Sequence, residues 1–269
     1  MVPIDLILLC LLGVLIGAVS ALLGVGGGFF YVPALVLLFD LDPRIAVGTS
    51  LAIITCTTLS ASIGYGLRGQ VLMKSAACLA LPGMVCAVFG ALITAFLPSY
   101  ILIAIFCVVL LFMGTKMIYR KFPLVFPLLV GPCWKESYGR PPAERKELCS
   151  YPVHLVSWGS LAGFMSGLTG IGGGIVNVPA LTIAGIPIHF AVATSAAVIL
   201  ITSLFATGTH VALGHVSVTF FVAIAIGAVV GAQAGVHLSH WAPPRTLELA
   251  IGTLLIIVVA AFVITTYLS

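Results

Sequence analysis

Charged residues are scarce in this sequence. Asp, Glu, Lys and Arg together make up 7% of the 269 residues, whereas about 25% is usual in a soluble domain. Hydrophobic residues make up 61%, and the mean hydropathy is +1.29. These values exclude an ordinary soluble domain and indicate an integral membrane protein with several spans. The net charge of +4 comes mostly from one loop and does not indicate a nucleic-acid partner.

Several chemical motifs are missing as well. The seven cysteines form no CxxC pair, and five of them lie in apolar segments, where cysteine acts as a small hydrophobic residue. The sequence has no HExxH motif, and His237 and His240 lack a third metal ligand nearby. No nucleophile is placed by the sequence beside a basic histidine. We therefore predict no enzyme, no metal and no cofactor, although a membrane-embedded accessory protein or enzyme stays open as an alternative.

Acidic residues are absent from the interior of the apolar segments. All seven acids fall in loops or at segment ends: Asp5, Asp40, Asp42, Glu136, Glu144, Glu147 and Glu248. Intramembrane carboxylates are typical of cation sites and proton relays. Their absence argues against cation transport, and a site made of neutral donors favours an anion.

Long apolar segments are abundant. Eight are about long enough to cross a hydrocarbon core, which needs roughly 20 helical residues. They lie near residues 4 to 23, 46 to 65, 75 to 97, 100 to 119, 154 to 169, 190 to 213, 216 to 238 and 246 to 267. Two shorter apolar stretches, 29 to 39 and 175 to 186, each follow a glycine cluster and predict half-length helices.

The glycine clusters belong to an internal repeat. Residues 24 to 35 are GVGGGFFYVPAL, and residues 170 to 181 are GIGGGIVNVPAL, 146 positions later. The segments AVGTS at 46 to 50 and AVATS at 191 to 195 also correspond. We predict an all-α polytopic membrane protein built from two homologous repeats, each with four full transmembrane helices and one half-length helix.

A basic, proline-rich segment separates the repeats. We divide the chain into an N-terminal repeat (1–120), a linker (121–152) and a C-terminal repeat (153–269). The lysines and arginines of the linker place it in the cytoplasm by the positive-inside rule. If the half-length helices cross the membrane, the second repeat is inverted and Arg44 alone lies outside. If they re-enter, the repeats are parallel and Arg44 and Arg245 both lie outside, so the charge count favours inversion by one arginine.

Three consecutive glycines disfavour a continuous helix by roughly 1 kcal/mol each. We expect the chain to unwind there and to restart near Phe29 and near Ile175, where the first amides of the new helix lack carbonyl partners. Such amides, at the positive end of the helix dipole, can bind an anion. In inverted repeats both turns reach one depth and form one central pocket. The alternative is that the turns serve helix packing alone, the role we assign to Gly227, Gly231 and Gly235.

Polar residues accompany each turn. Thr49 and Ser50 recur as Thr194 and Ser195, and we expect each pair to begin a helix opposite the glycine turns. Asn177 stands where the first repeat has Tyr31, so the site is asymmetric, and both side chains can donate to an oxyanion. The amides predicted to be free are those of Gly27, Gly28, Phe29, Phe30, Gly173, Gly174, Ile175 and Val176. The predicted substrate-binding residues are Gly26, Gly27, Gly28, Phe29, Thr49, Ser50, Gly172, Gly173, Gly174, Asn177, Thr194 and Ser195.

Three further residues are candidates for the pathway or for coupling. Tyr31 faces the same site as Asn177. Gln233 lies in an apolar span, where it either lines the pathway or bridges two helices. His210 lies near the end of a span and can titrate near neutral pH, which makes it a candidate proton carrier.

The doubled motif, GVGGGFFYVPAL and GIGGGIVNVPAL, each followed by an AVxTS segment, resembles the TauE/SafE family of sulfite exporters and related sulfonate permeases. The resemblance covers about residues 10 to 265. It implies a secondary transporter in the bacterial inner membrane that exports sulfite, sulfoacetate or a related organosulfonate by alternating access. An anion channel is the alternative. The transport direction, the coupling ion and the oligomeric state, a homo-oligomer included, stay open.

Overall fold

The computed structural model describes residues 3–118, 152–183 and 186–239, together with a few positions between 253 and 260. The described residues form nine α-helices and no strand. In chain order the helices are α1 (Pro3–Leu23), α2 (Gly28–Phe39), α3 (Pro43–Leu67), α4 (Met73–Phe96), α5 (Ser99–Ile118), α6 (Pro152–Thr169), α7 (Gly174–Ile183), α8 (Ile188–Ala212) and α9 (Val218–Leu238).

Five of these helices are long and apolar enough to cross a bilayer: α1, α3, α4, α8 and α9. The helices α5 and α6 form where two further spans are predicted from the sequence. The eighth predicted span, 246 to 267, and the linker apart from its last residue lie outside the described residues, except for the few positions named above. The prediction of an all-α polytopic membrane protein is confirmed.

Two helices are too short to span the membrane. The helix α2 has 12 residues and α7 has 10, so at 1.5 Å per residue they extend about 18 Å and about 15 Å. A hydrocarbon core is about 30 Å thick. Each short helix begins at the last glycine of its motif, Gly28 or Gly174. The two predicted half-length helices are therefore present.

The first half of the chain packs mainly against the second half. The helix α1 lies along α9, α4 lies along α6, and α3 packs against α8. In the first of these pairs, Gly227, Gly231 and Gly235 of α9 lie directly against backbone carbonyls of α1, where a side chain would have no room. The prediction that these three glycines serve helix packing is confirmed.

The helices α3 and α8 run antiparallel through the centre. Gly48, near the start of α3, lies against His210, near the end of α8. In the middle of α3, the Thr55 hydroxyl donates to Ser203 Oγ of α8 at 3.1 Å. The start of each helix therefore lies beside the end of the other. Equivalent residues of α3 and α8 therefore lie toward opposite ends of this helix pair.

Candidate functional site

Both glycine motifs are unwound. Residues 24–27 separate α1 from α2, and residues 170–173 separate α6 from α7. Left-handed φ angles, which favour glycine, occur at the same three positions of each turn. They are 65°, 95° and 81° at Gly24, Gly26 and Gly27, and 74°, 88° and 70° at Gly170, Gly172 and Gly173. The structure shows the two interruptions that the triple glycines predict.

The two turns meet at the centre of the molecule. A Cβ built on Gly26 would lie 3.6 Å from the Cα of Gly172 and 3.3 Å from Cγ2 of Ile199. A Cβ built on Gly172 would lie 3.3 Å from Cγ2 of Ile54, the residue equivalent to Ile199. The turns therefore share one location, and in this conformation Gly26 and Gly172 lie too close together to hold an oxyanion between them.

Each turn is bound by a serine from the other half. The Ser50 hydroxyl donates to the carbonyl of Gly170 at 3.0 Å, and the Ser195 hydroxyl donates to the carbonyl of Gly24 at 2.7 Å. Both serines are fully buried. They lie opposite the glycine turns, as expected from the sequence. In this conformation both hydroxyl groups donate to carbonyl groups. The two serines therefore stabilise the turns and have no hydroxyl proton left to donate to an anion.

The preceding threonines stabilise the starts of two other helices. Thr49 Oγ1 accepts a hydrogen bond of 2.9 Å from the amide of Ser217, just before α9. Thr194 Oγ1 accepts one of 3.1 Å from the amide of Leu72, just before α4. Each threonine therefore satisfies an amide at a helix start on the opposite half.

The expectation that these Thr-Ser pairs begin helices is wrong. The helix α3 begins at Pro43 and α8 begins at Ile188, so each pair lies about two turns after the start of its helix. The reason is the proline before each pair. Pro43 is the first residue of α3, with Asp42 capping, and Pro187 is the N-cap of α8, positions that suit a residue with a fixed φ angle.

Free backbone donors remain at the start of α2. The amides of Phe30 and Tyr31 both bond to the carbonyl of Gly27, at 2.9 and 3.1 Å, so the prediction of a free amide at Phe30 is wrong. A tight first turn uses that donor. The amides of Gly27, Gly28 and Phe29 have no hydrogen-bond partner among the described residues, and no side chain caps α2. Three uncapped donors therefore lie at the helix start.

The start of α7 has the same arrangement. The amides of Val176 and Asn177 bond to the carbonyl of Gly173, at 3.0 and 3.1 Å, so the predicted free amide at Val176 is wrong for the same reason. The amides of Gly173, Gly174 and Ile175 have no partner within the described part of the chain. Each turn thus presents three donors at the positive end of a helix dipole, which suits an anion.

Four buried polar side chains beside the turns also lack partners. Ser20 and Tyr31 in the first half, and Ser166 and Asn177 in the second, are at most 1% exposed. The Ser20 and Ser166 hydroxyls and both polar atoms of the Asn177 amide form no hydrogen bond with a described residue. The Tyr31 hydroxyl lies near Thr57 without hydrogen-bonding geometry. An unpaired buried polar group costs about 1–3 kcal/mol. Such a concentration of unpaired groups calls for an explanation, and a bound polar ligand or ordered water would satisfy them.

Ser20 and Ser166 are not among the residues predicted from the sequence. Each lies four residues before the first glycine of its motif, and its carbonyl accepts a hydrogen bond of 2.9 Å from that glycine's amide. A Cβ built on Gly27 would lie 3.1 Å from Ser20 Oγ. The signal that could have found them is the repeat itself, since the two serines are 146 positions apart.

The two turns differ in what lies beside them. The Tyr31 ring packs against Gly27, with Cε2 3.1 Å from a Cβ built there. In the second half the smaller Asn177 takes the equivalent position, and a cavity of about 220 Å³ adjoins Gly173. It is lined by Val108, Val109, Leu161, Met165, Ser166, Thr169, Ile171, Gly173, Ile175 and Val176. An apolar cavity of about 150 Å³ can hold benzene, so the second turn has room for a small ligand.

Gln233 and His210 both bind protein groups. Gln233 Nε2 donates to the carbonyl and to the hydroxyl of Ser60, at 2.7 and 2.9 Å. Of the two interpretations given above, the structure therefore favours a bridge between α9 and α3. His210 is fully buried, and its Nε2 lies 3.2 Å from the carbonyl of Gly167. No cluster of three or more metal-ligating side chains lies within the described residues.

Replacing Ser50 or Ser195 by alanine is expected to destabilise the protein by about 1–3 kcal/mol, because a buried carbonyl loses its donor. The two losses are expected to be similar, since the contacts are reciprocal. Thermal unfolding of each purified variant in detergent measures the effect. Ser160→Ala is a control, because that hydroxyl bonds within its own helix, to the carbonyl of Val156 at 2.9 Å. A stability loss at Ser160 as large as at Ser50 would contradict the assigned role.

The chain is similar to probable membrane transporter proteins along most of its length. Residues 9–262 match the profile of the family described as Sulfite exporter TauE/SafE. The Probable membrane transporter protein YunE of Bacillus subtilis is 28% identical over 268 residues, which cover 94% of this chain and 96% of the relative. A probable membrane transporter protein of Methanocaldococcus jannaschii is 26% identical, covering 92% and 91%. One from Haemophilus influenzae is 32% identical, covering 71% and 68%. No solved structure matches the chain significantly.

Proposed function

The chain belongs to the sulfite exporter TauE/SafE family, and on that premise we propose that it is a secondary transporter that exports a small oxyanion such as sulfite, sulfoacetate or a related organosulfonate. The anion binds where the two glycine turns meet. Its donors are the free amides at the starts of α2 and α7, together with Ser20, Tyr31, Ser166 and Asn177.

One observation supports the proposal most strongly. Asn177 is 1% exposed, and neither its carbonyl oxygen nor its amide nitrogen has a partner among the described residues. Its position in the first turn of α7 places it beside the free amides of Gly174 and Ile175. An amide, a hydroxyl and backbone N–H groups form a neutral set of donors. Such a set suits an oxyanion and contains no negative charge to balance a cation.

Inverted repeats are part of this proposal. A two-fold axis in the membrane plane turns a helix upside down, and α3 and α8 run antiparallel. The same axis exchanges the Ser50–Gly170 bond with the Ser195–Gly24 bond, and the Thr49–Ser217 bond with the Thr194–Leu72 bond. These reciprocal pairs support inversion over parallel copies.

Transport requires the turns to separate. A Cβ built on Gly26 would lie in van der Waals contact with the Cα of Gly172 and with Ile54 and Ile199, so this conformation leaves little space at the centre. We assign it to a closed state without a bound anion, from which the halves rock apart to either side. In this proposal the protein lies in the bacterial inner membrane, with the linker 121–152 on the cytoplasmic side. It acts as a carrier and does not catalyse a reaction.

Flux into proteoliposomes tests the proposal. Sulfite and methanesulfonate are offered to the reconstituted protein, with potassium ions as a cation control. A carrier gives saturable anion flux that is accelerated by the same anion on the opposite side. Flux of neither anion would refute the proposed function, and non-saturable anion flux without counterflow would favour the channel alternative.

Ser166→Ala is expected to weaken anion binding without destabilising the protein. The hydroxyl has no protein partner to lose, and one hydrogen bond to a charged ligand is worth about 1.5–3 kcal/mol. We therefore expect the half-saturating methanesulfonate concentration to rise at least about tenfold. Ser160→Ala, on the same helix, is the matched control and should leave it unchanged. A Ser166 variant with unaltered affinity would remove this serine from the site.

A further inference from the structure

Two histidines, one near the end of α8 and one just after it, form a pair that the anion site does not use. The rings of His210 and His215 lie 5.7 Å apart, centre to centre. His210 is fully buried, and His215 is partly exposed in the turn that follows α8. The Nδ1 atoms of both are buried and have no partner among the described residues.

The hydrogen bond of His210 determines its tautomer. Nε2 lies 3.2 Å from the carbonyl oxygen of Gly167, and a carbonyl can only accept, so Nε2 carries the hydrogen. In the neutral ring Nδ1 therefore holds a lone pair that nothing satisfies. A proton added at Nδ1 gives a cation that keeps the bond to Gly167. His210 is thus poised to bind one proton without losing its existing contact.

The equivalent position in the first half carries a different residue. Tyr65 hydroxyl donates to the carbonyl of Ala21 at 2.9 Å, and Ala21 is the equivalent of Gly167. The same structural bond is therefore made by a phenol in one half and by an imidazole in the other. Since tyrosine suffices for the structural role, the histidine has a property that the fold does not require. That property is a free ring nitrogen, Nδ1, which can bind a proton while Nε2 keeps its bond to Gly167.

The pair is connected to the second glycine turn. Gly167, the partner of His210, directly follows Ser166, whose unpaired hydroxyl belongs to the proposed anion site. On the other side, Gly48 of α3 packs against both His210 and the His215 backbone, and Ser50, two residues on, binds the carbonyl of Gly170. A charge at His210 therefore arises in direct contact with α6 and α3, the two helices whose Ser166 and Ser50 lie at the second glycine turn.

We propose that His210 binds a proton that is carried together with the anion, and that His215 links His210 to the water-exposed end of α8. This inference rests on the proposed function and adds the coupling ion to it. A buried cation is costly unless an anion balances it. Each charge therefore favours binding of the other, and this coupling is reciprocal. For a monovalent anion the transported pair is electrically neutral.

The surroundings contribute no competing charge. From α3 the neighbour is the backbone of Gly48, and from α6 it is the carbonyl of Gly167. From α4 the Thr94 hydroxyl lies 3.5 Å from the same carbonyl. His215 is the titratable group that faces His210 among these described neighbours. The charged or titratable surroundings of His210 therefore consist of the His215 imidazole and, when it is bound, the transported anion.

Methanesulfonate is the probe that tests this proposal, because it stays ionised and cannot carry the proton itself. Proteoliposomes with a trapped pH dye report proton movement during methanesulfonate flux, with the membrane potential set by potassium and valinomycin. The wild type is expected to move one proton per anion, with flux insensitive to the potential. In His210→Tyr the phenol can donate to the carbonyl of Gly167, as Tyr65 donates to that of Ala21. This variant is expected to keep anion flux but to lose proton movement, and its flux should then be driven by the membrane potential. His237→Gln removes an exposed histidine and should behave like the wild type.

Two results would overturn the inference. Wild-type methanesulfonate flux without proton movement would leave the carrier standing and refute the coupling. Proton movement that persists in His210→Tyr would refute the assignment to this residue. If no anion flux is found, the proposed function fails, and the histidine is tested directly by nitrogen NMR of the purified protein. A His210 ring that stays neutral between about pH 5 and pH 8, with and without methanesulfonate, would then exclude proton binding.

Discussion

Alanine at Gly28 or at Gly174 is expected to prevent the two halves from docking. A Cβ on Gly28 would overlap the carbonyl oxygen of Gly170, and a Cβ on Gly174 would lie 2.5 Å from the Cα of Val25 and 2.6 Å from the carbonyl oxygen of Gly24. Backbone atoms on both sides cannot move aside as a flexible side chain can. Overpacking of this kind costs about 1–3 kcal/mol and occasionally more, and we expect the upper end here. Thermal unfolding in detergent and anion flux both measure the loss.

The chain supplies matched controls for these substitutions. Gly66 of α3 and Gly208 of α8 lie in helices, and a Cβ on either would have no heavy atom within 4 Å. Alanine there should leave flux unchanged and should not destabilise the protein, since it favours a helix by up to about 1 kcal/mol over glycine. Wild-type stability and flux in Gly28→Ala would show that the turns do not interlock as described.

Asn177→Leu is expected to stabilise the protein while abolishing anion binding. The buried amide has no protein partner, so replacing it by an apolar group removes a cost of about 1–3 kcal/mol. The unfolding temperature should therefore rise. The same change removes a central donor of the proposed site, and methanesulfonate should no longer raise the unfolding temperature of the variant as it does that of the wild type.

The opposite signs of the two effects make this variant informative. A purely structural asparagine would destabilise the protein when replaced, and a residue unrelated to the site would leave anion binding intact. Tyr31→Phe is the parallel variant in the first half, because its hydroxyl is also buried and unpaired. It should weaken binding without lowering stability. Loss of stability in Asn177→Leu, or retained binding, would contradict the assignment.

The features that the sequence predicts best are those set by the local backbone. The triple glycines predict the interruptions, since left-handed φ angles at Gly26, Gly27 and their equivalents favour glycine whatever surrounds them. The half-length helices follow from the short apolar stretches beyond them. The spacing of Gly227, Gly231 and Gly235 predicts close packing because small residues let two backbones approach.

The features that the sequence predicts poorly depend on tertiary partners. Ser50 was expected to donate to an anion, but its distance in sequence from Gly170 hides the carbonyl that it binds. The sequence allows two roles for Gln233, and only the structure shows that Ser60 lies beside it as a hydrogen-bond partner. Ser20 and Ser166 matter because they lack partners, which a sequence cannot reveal. The free amides at the helix starts proved fewer than expected, since the first turns of α2 and α7 tighten onto Gly27 and Gly173.

Locating the anion is the most direct test of the account. A structure determined with selenite, a heavier oxyanion whose selenium gives an anomalous signal, shows where the negative charge binds. We predict selenium within hydrogen-bonding reach of the amides of Gly28 and Phe29 or of Gly174 and Ile175, with the Asn177 side chain as a further donor. Selenium sites confined to the protein surface, with both glycine turns unoccupied and unchanged at saturating selenite, would contradict the central claim.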